Sequence, residues 1–259
     1  MFDWKSKHDE RSLAYQIPTR TTARGYRYWA PGPVLDQGSD GYCVGMGITG
    51  ELNAEPIVAG QPTFDFAAGI FHLALKFDDI PGEADDTGTS VLAGAKAAQK
   101  MGYISEYRWC FGIDEVARGI YNHGPVVVGT AWLDSMFEPS YLDGHDADDP
   151  TVPNIPVLDI TGAEVGGHCY LLTGFTRFGG TEWFRVRNSW GDNWGQDGDA
   201  MIRKDDMAKL LRGSGEACIL FDVPTAPTAT PAATSGSKSS RLLQPGPYGM
   251  GYGPMRSGM

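Results

Sequence analysis

Three residues of this sequence carry the functional groups that acyl transfer by a cysteine requires, namely a thiol, an imidazole and an amide. Cys43 ends the segment QGSDGYC, His168 lies in GGHCY, and Asn188 opens the segment NSWGDNWG. In such chemistry a thiolate attacks a carbonyl carbon, an imidazole moves the proton, and an amide oxygen orients the imidazole. The residue types and their order therefore predict Cys43 as nucleophile, His168 as general acid and base, and Asn188 as the orienting group.

The spacing of these motifs resembles that of the papain-like cysteine peptidases (C1 papain family). His168 and Asn188 lie 125 and 145 residues after Cys43, and in that family the corresponding residues follow the cysteine by about 130–150 residues. The resemblance implies that Gln37 donates its side-chain amide to the developing oxyanion, together with the backbone N–H of Cys43. It also implies that Trp190 covers the contact between His168 and Asn188.

The resemblance covers about residues 25–223 and indicates where a substrate main chain binds. Residues 86–90, with the sequence DTGTS, resemble the glycine-bearing loop that pairs with substrate in the family. The substrate-binding residues implied in this way are Gly41, Tyr42, Gly88, Thr89, Gly167 and Trp190. The short N-terminus is closest to compact microbial or viral members, which lack the usual long inhibitory pro-region.

The residues around the nucleophile depart from the family's usual Gly-Ser-Cys-Trp. Tyr42 replaces a small residue whose hydroxyl caps a helix, and Val44 replaces an aromatic residue. Asp40 leaves two alternatives open. Its charge opposes formation of the Cys43 thiolate if it faces the same cavity, whereas it favours the helix start if it caps the first N–H groups.

The bulk composition sets limits on the class of protein. The chain has 259 residues, of which 41% are hydrophobic and 20% are charged, which is enough for a folded domain or two lobes with a shared cleft. Its formal net charge of −11 disfavours nucleic-acid or anionic-membrane partners. We expect a peptide or protein substrate, no nucleic acid and no membrane.

The four cysteines are Cys43, Cys110, Cys169 and Cys218, and none forms a C-x-x-C pair. This spacing argues against structural zinc, and we expect neither a metal nor another cofactor. Residues 1–11 show no apolar signal-peptide core. We therefore expect four thiols in a reducing compartment, either the cytoplasm or a viral or other assembly.

Periodicity predicts a helical half followed by a strand-rich half. Apolar spacing indicates helices over residues 43–55, 64–77, 91–101 and 114–122. Branched and aromatic runs indicate strands over residues 126–128, 170–172, 183–187 and 219–221. The order is typical of an α+β chain, and the resemblance implies the papain-like two-lobe fold with the active-site cleft between a helical lobe and a β-barrel-like lobe.

The chain divides into three predicted regions. Residues 1–24 are an N-terminal extension, and residues 25–223 are the peptidase domain, with a helical lobe over about 35–124 and a β lobe over about 125–223. Residues 224–259 are rich in Pro, Gly and Ser and are predicted to form a flexible tail. The tail either carries a binding segment for a protein partner or has no role.

Two further motifs suggest other chemistry. Residues 45–50 match G-x-G-x-x-G, but a polar turn precedes them, so we interpret the glycines as helix-packing residues and not as a nucleotide site. Residues 141–150 hold several acidic side chains, which predicts a solvated loop, with calcium binding as the minor alternative.

Three functions are compatible with these observations. The preferred one is a cysteine endopeptidase. The second is an amidase, aminopeptidase or peptide ligase on the same scaffold. The third is a weakly active or inactive structural or binding module in a larger assembly, which the altered segment 41–44 and the tail would suit.

Overall fold

The computed structural model describes residues 4–7, 9–18, 26–78, 88–143, 149 and 151–222. The chain separates into one unit spanning Met1–Pro224 and a second spanning Thr225–Met259. The predicted tail over residues 224–259, residues 86 and 87 of the substrate loop and most of the acidic loop lie outside the described residues.

Helices dominate the first half of the domain. Their bounds, with one later helix, are α1 Cys43–Asn53, α2 Phe64–Ala74, α3 Val91–Lys100, α4 Ile113–Asn122 and α5 Lys204–Arg212. Two of them begin at a hydroxyl cap, since Thr63 Oγ1 accepts from the backbone of Phe66 and Ser90 Oγ accepts from that of Ala93, both at 3.2 Å. Short 3-10 helices cover Glu10–Tyr15 and Asp134–Met136.

The second half is built on an antiparallel sheet. The strands are β1 Arg27–Tyr28, β2 Ile104–Trp109, β3 Val126–Leu133, β4 Glu164–Phe178, β5 Thr181–Arg187, β6 Asp199–Arg203 and β7 Glu216–Asp222. Their order is β2-β7-β3-β4-β5-β6, and β1 pairs with β4. The long central strand β4 therefore holds its neighbours in one continuous layer.

Alternation along the central strands separates two hydrophobic cores. Val127 and Leu171 are paired across β3 and β4 and pack with the helices α1 and α3. Val128 and Tyr170, one position along each strand, face the opposite way and pack with α4 and α5. The sheet therefore forms the boundary between a helical lobe and a strand-rich lobe.

Helix α1 lies closely against its neighbours because of its glycines. A Cβ atom at Gly45 would collide with the carbonyl oxygen of Ala67 on α2, and one at Gly47 would lie 2.8 Å from Cys169 Sγ on β4. Both distances are shorter than a carbon atom tolerates. These glycines of the G-x-G-x-x-G stretch thus allow close helix packing, as we expected from the sequence.

The predicted fold class is confirmed: helices and an antiparallel sheet form an α+β chain of the papain-like type. The four predicted helices begin within one residue of the observed starts, and most end earlier than predicted. The predicted strands are longer than expected, and β1, β2, β6 and α5 are absent from the predicted elements. Within the described part of the chain, we find no helix that is long and apolar enough to span a membrane.

Candidate active site

The imidazole of His168 and the amide of Asn188 form a buried hydrogen bond, with 2.8 Å between Nε2 and Oδ1. The same amide atom also accepts from the backbone N–H of Ser189 at 2.8 Å. Since a backbone N–H can only donate, this atom must be the amide oxygen, and His168 Nε2 must carry the proton. The neutral ring therefore has its lone pair on Nδ1, where a thiol proton can be accepted.

The segment that contains Gln37 is paired with the segment that follows Asn188. Asp36 and Trp190 form an antiparallel bridge, and the backbone N–H of Gln37 donates to the Ser189 carbonyl at 2.9 Å. Ser189 Oγ donates to Gln37 Oε1 at 2.8 Å. The two motifs, about 150 residues apart in sequence, are therefore locked together at the site.

The orientation of the Gln37 amide follows from two of its contacts. Its oxygen is held by Ser189, and its nitrogen donates to the Asp40 carbonyl at 2.7 Å, in the turn that leads to Cys43. This second contact uses one of the two N–H donors of the amide. The nitrogen of Gln37 is thereby directed towards the start of α1, where the resemblance places the oxyanion.

Helix α1 brings Cys43 level with the start of β4. Gly47 lies against Cys169 and Gly50 lies against Leu171, so α1 runs along β4. One helical turn is roughly 5.4 Å, or about two residues of strand, which places Cys43 level with residues 167–168. Cys43 is the first residue of α1, where the helix dipole stabilises a thiolate.

Aromatic rings enclose His168. The Trp190 ring lies 4.8 Å from it at an interplanar angle of 32°, and Trp132 lies edge-on at 4.8 Å. Tyr170, on the same strand, lies 6.0 Å away at 28°. The imidazole is fully buried, and this burial lowers the pKa of His168 to about 4, whereas the hydrogen bond that the ring donates to Asn188 acts to raise the pKa.

Residues 4–7 occupy the cleft between the two lobes in an extended conformation. The backbone N–H of Trp4 donates to the Gly167 carbonyl at 3.2 Å, and that of Lys5 donates to the Thr89 carbonyl at 3.0 Å. Thr89 precedes α3 in the helical lobe and Gly167 belongs to β4. The two residues implied to bind a substrate main chain are thus brought together, and they already bind a peptide segment of the chain itself.

The Trp4 indole is seated on glycines. A Cβ atom at Gly129 or at Gly167 would collide with Trp4, so these two positions accept the indole only because they lack a side chain. Trp4 is 7% exposed, and Cys43 and His168 are both 0% exposed. Trp4 packs in one hydrophobic cluster with Cys43 and binds the residue before His168, so the N-terminal segment lies over the candidate site.

Glu216, the first residue of β7, holds this segment in place. Its carboxylate accepts from Trp4 Nε1 at 3.1 Å, from the backbone N–H of Lys7 at 3.1 Å and from that of Val91 at 3.3 Å. Burial raises the pKa of Glu216 to about 7, although the three donors act in the opposite direction. Two of the three donors belong to the N-terminal segment, so they leave whenever that segment leaves.

The remaining predicted residues lie around the start of α1 and α3. The Tyr42 ring packs on α2, with centroids 4.8 Å from Phe71 and 5.5 Å from Phe64, and its side chain does not cap α1. Gly41 is half-buried in the turn before α1, and Gly88 is buried beside Thr89. Asp40 is exposed, and its described contacts with Gln37 are made by its backbone.

The other three cysteines are poor nucleophiles in this structure. All four cysteines are buried thiols. Burial raises the pKa of Cys110, Cys169 and Cys218 well above the usual thiol value. Because only the thiolate reacts, these side chains are inert at neutral pH. Across the residues that the structure describes, no group of three or more His, Cys, Asp or Glu side chains could hold a metal ion.

Four residues at the site were not predicted from the sequence: Trp4, Trp132, Ser189 and Glu216. Glu216 gave a usable signal, because it is a lone carboxylate at the start of the apolar run ACILF. Ser189 adjoins a predicted residue. Trp4 and Trp132 reach the site only through contacts that are distant in sequence.

Comparison with known proteins agrees with this geometry. Residues 88–217 match the family model described as papain family cysteine protease. Cathepsin O of Mus musculus is 34% identical over 90 residues, covering 35% of this chain and 24% of that relative. Cathepsin O of Homo sapiens is 27% identical over 129 residues, covering 50% of this chain and 36% of that relative. The matched stretches thus span about a quarter to a third of these relatives.

Solved structures share the fold. Xylellain, a cysteine protease from Xylella fastidiosa, superposes with a TM-score of 0.52 at 18% identity, covering 85% of this chain and 92% of that one. Procathepsin B S9 from Trypanosoma congolense gives a TM-score of 0.53 at 14% identity, covering 85% and 82%. The stretch that matches the family model makes up half of the sequence and includes His168 and Asn188. This chain therefore belongs to the papain family of cysteine proteases.

Proposed function

We propose that this chain is a cysteine endopeptidase that hydrolyses peptide bonds through a Cys43 thioester. The observation that carries the proposal is the buried hydrogen bond between His168 Nε2 and Asn188 Oδ1 at 2.8 Å, since it fixes the proton on Nε2 and directs the basicity of the ring to Nδ1. No structural role requires this arrangement beside a cysteine at a helix start.

The first half of the reaction forms the acyl-enzyme. His168 Nδ1 takes the Cys43 thiol proton, and the thiolate attacks the carbonyl carbon of the scissile bond. The amide of Gln37 and the backbone N–H of Cys43 donate to the oxyanion that develops. The imidazolium then gives its proton to the leaving amine, and the C–N bond breaks.

The second half releases the acid product. His168 removes a proton from a water molecule, which attacks the thioester carbonyl, and the same oxyanion donors act again. The C–S bond breaks, and the proton returns to the Cys43 sulfur. The overall reaction consumes one water molecule for each peptide bond that is cleaved.

A peptide is the proposed substrate because the cleft already binds one. Trp4 and Lys5 donate successive backbone N–H groups to Gly167 and Thr89, on opposite walls of the cleft. A substrate strand would use these two carbonyls in place of the N-terminal segment, so the segment and the substrate compete. The cytoplasmic location and a partner for residues 224–259 stay predictions.

Hydrolysis of a peptide mixture tests the proposal. The full chain and the Cys43→Ser variant are incubated with the mixture at neutral pH under reducing conditions, and the products are identified by mass spectrometry. We expect new internal cleavage sites with wild type and none with the variant. Products that are identical for the two proteins would refute the peptidase assignment.

A further inference from the structure

Trp132 lies on β3, beside the strand that carries His168. In the pairing of β3 with β4, Thr130 is opposite His168 and Trp132 is opposite Gly166. Because Gly166 has no side chain, the position facing Trp132 is open. Diagonal neighbours across an antiparallel pair are within reach of a large aromatic ring, and the Trp132 indole accordingly reaches His168.

The Trp132 indole connects the rings around the imidazole. Its centroid lies 4.8 Å from His168 at 79°, 5.1 Å from Trp190 at 71° and 5.5 Å from Tyr170 at 72°. These are edge-to-face contacts at the distances that aromatic pairs prefer. Trp132 is 0% exposed, so its position is set entirely by its neighbours.

The hydrogen bond to Asn188 does not by itself fix the orientation of the imidazole. It holds Nε2, but rotation about the Cα–Cβ and Cβ–Cγ bonds of His168 can still move Nδ1. Trp190 and Tyr170 lie at small angles to the imidazole plane and limit its tilt. Trp132 packs against the imidazole at an interplanar angle of 79° and leaves the ring less room to rotate about its side-chain bonds.

The indole of Trp132 can be replaced by a smaller ring without breaking a hydrogen bond among the described residues. Nε1 is buried and has no hydrogen-bond partner among the described residues. A buried unpaired donor opposes folding, and a phenylalanine would avoid that cost while keeping a ring. The Trp132→Phe variant is therefore a conservative change that retains a ring at the site.

We propose that Trp132 is a positioning residue that holds the His168 imidazole in the orientation in which Nδ1 meets the Cys43 thiol. The inference rests on the proposed function. Trp132 itself touches neither the thiol nor the substrate in this mechanism. Among the described residues, the titratable side chains beside His168 are Tyr170 on β4 and Cys43 at the start of α1.

The test measures how fast iodoacetamide alkylates Cys43 in the full chain between pH 4 and 9, and all proteins compared, the wild-type reference included, carry Trp4→Ala so that the reagent reaches the thiol. The variants are Trp132→Leu, which removes the ring, and Trp132→Phe, which keeps one. Trp183→Leu and Trp183→Phe are matched controls, because Trp183 is also a buried tryptophan with an unpartnered Nε1 in the described structure, in a separate hydrophobic cluster. Thermal unfolding is followed for every variant.

We expect Trp132→Leu to slow alkylation at neutral pH about tenfold or more, since a misplaced base costs at least that much. Its pH profile should move towards that of an ordinary thiol, with a midpoint of about 8.5. Trp132→Phe should recover most of the rate. The Trp183 variants should lose thermal stability but keep the wild-type pH profile.

A Trp132→Leu profile that superposes on an activated wild-type profile would overturn the inference. If this variant does not fold, Trp132→Met replaces it, and the same superposition decides. An ordinary thiol profile in wild type itself would instead contradict the proposed function, and the inference with it. The two failures are therefore distinguishable.

Discussion

The indole N–H of Trp4 donates to the carboxylate of Glu216 across 3.1 Å, which joins the start of the chain to the first residue of β7. The contact lies beside Thr89 and Gly167, the carbonyls that hold the N-terminal segment. It therefore connects two properties of the protein: where a peptide binds in the cleft, and how the Cys43 thiol is covered.

Loss of the Trp4 side chain should expose the candidate site. Trp4→Ala removes the indole from Gly129 and Gly167 and deletes the contact with Glu216. We expect Cys43 to be labelled by an epoxysuccinyl affinity reagent about tenfold faster than in wild type, since the segment then competes less well for the cleft. The matched control is Leu13→Ala, an exposed residue of the same extension, which should leave the labelling rate unchanged. Equal rates for Trp4→Ala and wild type would contradict this role of Trp4.

Removal of the orienting amide should affect the chemical step more than binding. Asn188→Ala deletes the acceptor of the His168 Nε2–H and frees the imidazole to rotate. We expect kcat to fall roughly 10²-fold or more, with KM nearly unchanged. Steady-state kinetics on a cleaved peptide measure both constants. A large rise in KM with constant kcat would show that Asn188 acts in binding.

The oxyanion role of Gln37 predicts a graded pair of variants. Gln37→Ala removes a donor, and we expect kcat to fall about 10²–10³-fold. Ser189→Ala only removes the hydroxyl that orients Gln37 Oε1, so its effect should be smaller and in the same direction. The opposite order of the two effects would argue that Ser189, and not Gln37, contacts the reacting group.

Much of this arrangement follows from local sequence patterns. The apolar spacing after Cys43 predicts the start of α1, but the helix ends at Asn53, since Ala54 is already extended two residues before Pro56, which cannot continue a helix. Helix α5 is rich in charge, and only Met207, Ala208 and Leu210 are buried, so its apolar stripe is short. Order and spacing single out His168 and Asn188 because each lies in a distinctive motif, and the structure joins the two by a hydrogen bond.

The covering of the cleft could not be predicted in the same way. Trp4 and Glu216 are 212 residues apart, and no local pattern in residues 1–24 indicates that residues 4–7 bind between the two lobes. Trp132 reads as an ordinary aromatic residue of a strand until β3 is placed beside β4. The positions of Trp4 and Trp132 depend on contacts between segments that are distant in sequence. Hydrophobic periodicity reports only local structure and does not reveal such contacts.

Acid should destabilise the fold through His168. Its pKa is lowered by burial from 6.5 to about 4, so between these pH values the unfolded chain binds a proton that the native chain does not. The stability that depends on the neutral imidazole is present above pH 6.5 and is lost as pH falls towards 4, at most about 3 kcal/mol in all. Urea unfolding at pH 7 and pH 4.5 measures it.

The control for this pH effect is His168→Gln, which cannot titrate. We expect the variant to lose less stability than wild type between the two pH values, whatever its stability at pH 7. Equal losses of unfolding free energy in the two proteins would show that the native fold does not lower the pKa of His168.

The packing role of the α1 glycines predicts that adding a side chain to one of them lowers the stability of the fold. Gly45→Ala places a methyl group against the Ala67 carbonyl, and we expect a loss of roughly 1–3 kcal/mol of unfolding free energy. Gly69→Ala is the matched control, because nothing lies within 4 Å of a Cβ atom there. Urea denaturation measures both. A stable Gly45→Ala variant would contradict the observed approach of α1 and α2.

The most direct test of the central claim is intact-mass analysis after treatment with an epoxysuccinyl affinity label at neutral pH with reductant. Wild type, Trp4→Ala and the double variant Trp4→Ala/Cys43→Ala are compared. We predict one adduct per molecule, faster in Trp4→Ala than in wild type and absent from the double variant. No adduct on Trp4→Ala, or an adduct that persists without Cys43, would contradict the account of Cys43 as the nucleophile.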